Sequence, residues 1–96
     1  MYQNKRTKDF YSRFLENLKF SQSWPGPYMF KFILKGNDIQ TNRLKLLFLD
    51  MNPVFSIKKS SNNRFLSLSI KVTMNSPEEV ITIYKQVSKF KGVITL

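Results

Sequence analysis

RFLSLSIKVTMNSPEE, residues 64–79, sets a strand directly before a helix start. Over 64–74 the apolar residues alternate. Leu66, Leu68, Ile70, Val72 and Met74 are expected to face a core, and Phe65, Ser67, Ser69, Lys71 and Thr73 to face outward. Ser76-Pro77-Glu78-Glu79 then places a serine at the N-cap, a proline at the first helical position and a glutamate at the third. That is capping-box chemistry, in which the serine and glutamate satisfy backbone N–H groups that the first turn leaves without partners. Val80, Ile83, Tyr84 and Val87 follow at helical spacing, with Lys85, Lys89 and Lys91 toward the end where the helix dipole favours cations. Gly92 is expected to close this helix, and VITL (93–96) to form a last short strand.

Upstream, Ser61-Asn62-Asn63 is turn chemistry, so residues 54–60, VFSIKKS, are expected to pair with 64–74 as a hairpin. Asn52-Pro53 ends the preceding element, because the residue before a proline is pushed out of the helical region. Leu44, Leu47, Phe48 and Met51 recur at i, i+3, i+4 and i+7, which predicts a helix over 39–51. Residues 28–35, YMFKFILK, read as a strand with Tyr28, Phe30, Phe32 and Leu34 on one face and Met29, Lys31, Ile33 and Lys35 on the other. Gly36-Asn37-Asp38 stops that strand, and Asp38 is suited to cap the next helix.

The order is strand, helix, strand, strand, helix, strand. It predicts an α+β ferredoxin-like βαββαβ sandwich: a four-stranded antiparallel sheet with two helices on one face and the other face open. In front of it, residues 1–25 read as an extension carrying a short amphipathic helix. Phe10, Phe14 and Leu18 lie on one stripe, broken by Trp24-Pro25-Gly26-Pro27, and Phe10, Phe14 and Trp24 need a surface to pack on. Residues 26–96 form the domain itself.

Composition narrows the chemistry. The 96 residues contain neither cysteine nor histidine, and sixteen Lys and Arg against six Asp and Glu leave a net charge of +10. Disulfides, thiolate nucleophiles, zinc-type ligand sets and the commonest general base are absent. No apolar run approaches the length of a membrane span, no secretory h-region follows the basic start, and the expected compartment is the cytoplasm. Lys31, Lys58, Lys71, Lys85 and Lys91 are spread over every element, which favours solubility over a phosphate site as the reading of the charge.

PYMFKFILKGND, a helix closed by Asn52-Pro53, the hairpin SSNNRFLSLSIKVTMNSPEEV and the helix ITIYKQVSKFKGV occur in an order that resembles the YbeD-like family of small uncharacterised bacterial proteins, from about Trp24 to Leu96. The resemblance implies a ferredoxin-like fold similar to ACT-type regulatory domains, which bind small effectors or pair sheets between subunits.

Two candidate sites follow. The open sheet face, with Met29, Lys31, Ile33, Phe65, Ser67, Ser69 and Lys71, is expected to serve as an interface for a second subunit or a protein partner. Its lysines make a basic nucleic-acid-binding module the alternative, against which stands a single outward aromatic, Phe65, where stacking platforms carry several. The loop Lys35, Gly36, Asn37 and Asp38 is the candidate position for a small effector, at a helix start that offers free N–H groups. Glu78 and Glu79 are adjacent carboxylates, but the capping box gives them a structural role. No acid–base pair, metal cluster or nucleophile–base set is legible, so the expectation is a non-catalytic, ACT-like regulatory or interaction module, self-associating, without cofactor or metal.

Overall fold

The computed structural model describes residues 5–35, 38–62 and 64–96. In chain order they form α1 (Lys5–Ser21), β1 (Gly26–Lys35), α2 (Asp38–Leu46), a turn of 3-10 helix (Leu49–Met51), β2 (Val54–Lys59), β3 (Phe65–Met74), α3 (Pro77–Val87) and β4 (Val93–Thr95). The protein is α+β, with three α-helices and one four-stranded sheet in the order β2-β3-β1-β4. Every pairing in that sheet is antiparallel.

The alternation in β1 and β3 becomes the core. Phe30 faces Ile70 across the ladder, Phe32 faces Leu68, Leu34 faces Leu66 and Tyr28 faces Val72. Paired residues of an antiparallel ladder point to the same side, so these form one apolar surface. Phe30, Phe32, Leu68, Ile70 and Met74 have no exposed surface at all. Leu44 and Phe48 from the second helical region, Val80, Ile83 and Val87 from α3, and Leu18 from α1 close over them as a single cluster.

α3 begins as the capping pattern requires. The Ser76 side chain accepts from the Glu79 N–H at 3.2 Å. The reciprocal half differs from the expectation: the Glu79 carboxylate reaches one residue further back, accepting from the Asn75 N–H at 3.5 Å and its side-chain amide at 3.2 Å. Helix ends also correct the sequence reading. The span 39–51 is not one helix. After Leu46, Leu47 and Phe48 donate to carbonyls three residues back, Leu44 and Lys45, and the chain tightens into the 3-10 turn before Asn52 turns it out at φ 57°. The tightening keeps Phe48 buried and Met51 partly buried, so the apolar stripe outlasts the α-helix that suggested it. Likewise α3 ends at Val87, capped by Ser88, rather than at Gly92. Lys89 and Lys91 therefore lie in the turns beyond it, and only Lys85 sits in the last helical turn. Gly92 instead supplies the positive φ of 75° from which β4 starts.

α1 is a full helix of 17 residues, longer than the short helix expected, and it lies on α3. The Phe14 ring sits 5.3 Å from that of Tyr84, and the Lys85 ammonium lies 5.1 Å over the Tyr11 ring. Trp24 ties the entry to the sheet by donating from Nε1 to the Leu18 carbonyl at 2.9 Å. The backbone passes close there. A Cβ on Gly26 would lie 2.6 Å from the Ser23 carbonyl oxygen, so only glycine fits. Phe14 and Trp24 thus find the surface they need, while Phe10 remains mostly exposed.

Candidate functional site

With the helices on one side, the other face of the sheet is uncovered. The register places all seven sequence-selected residues on it: Met29 lies opposite Lys71, Lys31 opposite Ser69 and Ile33 opposite Ser67, while Phe65 lies opposite Lys35. β2 extends the face with Val54 beside Lys71, Ser56 beside Ser69 and Lys58 beside Ser67, and β4 adds Ile94 beside Ile33. Val54 is 66% exposed, Ile94 56%, Met29 53% and Phe65 42%. Edge residues Val54 and Ile94 were missed in the sequence. Their strands carry too few alternations to assign a face without the register.

Charge on this face has one sign. The face holds Lys31, Lys35, Lys58 and Lys71, the fifth strand lysine, Lys59, lies opposite Leu66 on the other face, and no strand carries a carboxylate. All six acids belong to the helical layer: Asp9 and Glu16 on α1, Asp38 at the start of α2, Asp50 in the 3-10 turn, and Glu78 and Glu79 on α3. A shallow cavity of about 180 Å³ opens on the face where Ile33, Lys58, Phe65 and Ser67 meet. Beside it the β2–β3 turn is fixed by side chains, with Asn62 Oδ1 accepting from Ser60 Oγ at 2.8 Å and from the Arg64 N–H at 3.1 Å.

Of the candidate effector loop, Gly36 and Asn37 lie outside the described residues, as do the side chain of Asp38 and the cap assigned to it. Lys35 is the exposed end of β1, and Asp38 opens α2. Gln40 and Arg43, which follow this loop on α2, enclose about 370 Å³ with Lys89, Phe90 and Lys91, and Gln40 Nε2 donates to the Lys91 carbonyl at 2.8 Å.

On the helical side an aromatic cavity of about 460 Å³ is walled by Phe10, Tyr11 and Phe14 of α1, Tyr28 of β1 and Tyr84 of α3. The Tyr28 and Tyr84 hydroxyls are hydrogen-bonded at 3.0 Å. Burial first, and then this bond to Tyr28, push the Tyr84 hydroxyl far above the ordinary tyrosine value of 10.0. The folded chain therefore holds this proton more tightly than the unfolded chain does. Its contribution to stability is intact below pH 10.0 and falls as pH rises beyond it, by at most about 1.4 kcal/mol per pH unit. Urea unfolding at a series of alkaline pH values is expected to show a shallower decline for Tyr84→Phe than for the wild-type chain. Equal slopes would mean that Tyr84 does not carry the linkage.

These features define a small α+β domain with a covered acidic-and-basic helical side and a bare sheet face of lysines and apolar residues. The chain belongs to the family described as protein of unknown function DUF493, whose model matches residues 21–96. No curated protein matches it, and no solved structure does. Among the described residues, no helix is long and apolar enough to cross a membrane.

Proposed function

We propose that this domain is a non-catalytic interaction module whose uncovered sheet face binds an acidic protein segment. One observation carries the reading: the uncovered face bears four lysines, Lys31, Lys35, Lys58 and Lys71, and no carboxylate, while all six acids lie in the helical layer. Met29, Ile33, Val54 and Ile94 between those lysines supply apolar area worth about 25 cal/mol per Å² on burial, before the cost of association. Lysine stems can lie along that area while their heads meet carboxylates at the rim. The strand order with helices on one face supports a ferredoxin-like, ACT-like architecture, and the order of the sequence motifs supports the kinship with YbeD-like proteins. The absence of histidine and cysteine supports the non-catalytic part.

A second copy is the weaker occupant of this face. Stacking it on itself would bring Lys31, Lys58 and Lys71 toward the same residues of the other copy. Single-stranded nucleic acid would meet the lysines but find one aromatic, Phe65, on the central strands of that face.

The test is titration of isotope-labelled protein with a peptide alternating glutamate and leucine, and separately with an oligouridylate. The peptide is expected to shift amides of β1 and β3, with an affinity that falls as salt rises. Lys31→Glu/Lys71→Glu is expected to weaken it at least tenfold. Tighter binding of the oligouridylate, or a dimer in light scattering that Ile33→Asp dissolves, would give the face to another occupant.

A further inference from the structure

The aromatic cavity lies on the opposite side of the sheet from the lysine face. Its volume of about 460 Å³ falls within the range of sites that enclose small molecules. Phe10, Tyr11, Phe14, Tyr28 and Tyr84 present flat apolar walls, to which a planar ligand is complementary.

The polar groups specify more. Two hydroxyls bonded to one another use one of their two protons, so whichever of Tyr28 and Tyr84 accepts keeps a proton to donate. The Lys85 ammonium sits over the outer ring, Tyr11, and Arg13 borders the adjoining cavity beyond Phe10. No Asp or Glu side chain lines either cavity, and Ser88, Thr95 and Leu96 complete the lining of the larger one. Both cations border neighbouring cavities that share the Tyr11 or Phe10 wall, and a free hydroxyl proton within their field favours an anionic acceptor.

From this geometry we infer that the cavity between α1, α3 and the sheet is a binding site for a small planar apolar carboxylate. The ring system lies among Phe10, Phe14 and Tyr84, and the carboxylate accepts from the spare tyrosine proton under the field of Lys85. This assignment is independent of the sheet-face reading, since none of these side chains lies on that face. It also places a small-ligand site away from the loop at residues 35–38.

2-Naphthoate and naphthalene serve as probes on the full chain. 2-Naphthoate is expected to bind saturably and to shift amide signals of Phe14, Tyr84 and Ser88. Tyr28→Phe/Tyr84→Phe keeps both rings and removes both hydroxyls. It is expected to weaken 2-naphthoate roughly tenfold and leave naphthalene unchanged. Lys85→Ala, at an exposed position, is expected to weaken 2-naphthoate alone and carries the test if the double variant fails to fold. Failure of 2-naphthoate to shift those signals at millimolar concentration would overturn the site. Equal losses for the two probes would overturn its preference for a carboxylate.

Discussion

Phe30→Ala is expected to cost about 3–5 kcal/mol in urea unfolding, a large part of the stability of a chain this size. Phe30 has no exposed surface and sits at the centre of the aromatic cluster. Its ring lies 4.8 Å from Tyr28, 5.0 Å from Phe48, 5.1 Å from Tyr84 and 6.1 Å from Phe32. Alanine would leave a cavity bordered by both central strands, α3 and Phe48, which lies between α2 and the 3-10 turn. Strands paired on both edges cannot collapse into it without breaking ladder bonds, so little of the loss is recovered. Phe65→Ala, on the uncovered face of the same sheet, is the control and should cost less than about 1 kcal/mol. Equal losses for the two would mean that the faces of the sheet are wrongly assigned.

The faces were legible in advance because a strand has period two. In 64–74 each apolar residue fixes the side of its neighbours, and all five residues expected inward are buried. Helix ends were less legible for a physical reason. The stripe through Leu44, Phe48 and Met51 reports which residues meet the core, and a 3-10 turn can keep that stripe buried after α-helical bonding has stopped. Gly92 misled in the same way, since a glycine with positive φ suits the start of β4 as well as the end of a helix.

Charge tells a related story. Taken by themselves the lysines look dispersed, because every α-helix and three of the four strands carry at least one basic residue. The segregation lies in the carboxylates, and it emerges only once the strands are fixed and found to hold none. The aromatic cavity was beyond any local reading. Its walls run in sequence from Phe10 to Tyr84 and beyond, and no periodicity within one element announces a space enclosed by three. What could have hinted at it is the surplus of aromatics: Phe10 and Tyr11 are adjacent on α1, so a helix facing one surface cannot bury both equally.

α1 also bears on where the domain begins. The family match starts at residue 21, leaving nearly all of this helix outside it. Yet Leu18 is only 5% exposed and belongs to the same core cluster as Phe30 and Val80. Its carbonyl also accepts from both Trp24 Nε1 and Ser21 Oγ at 2.9 Å, fixing the path from helix to sheet. Leu18→Ala removes three side-chain carbons from a packed site and is expected to cost about 2–4 kcal/mol. Phe20→Ala removes a larger side chain two positions away on the same helix, but Phe20 is 85% exposed, and the expected change is within about 0.5 kcal/mol. The helix propensity of alanine is at least as good as that of either residue, so neither substitution unwinds α1 by itself. Comparison of the two by urea unfolding separates packing from helix formation. A loss at Leu18 with none at Phe20 makes α1 an integral wall of the core, and loss at neither would make it an appendage that the matched region folds without.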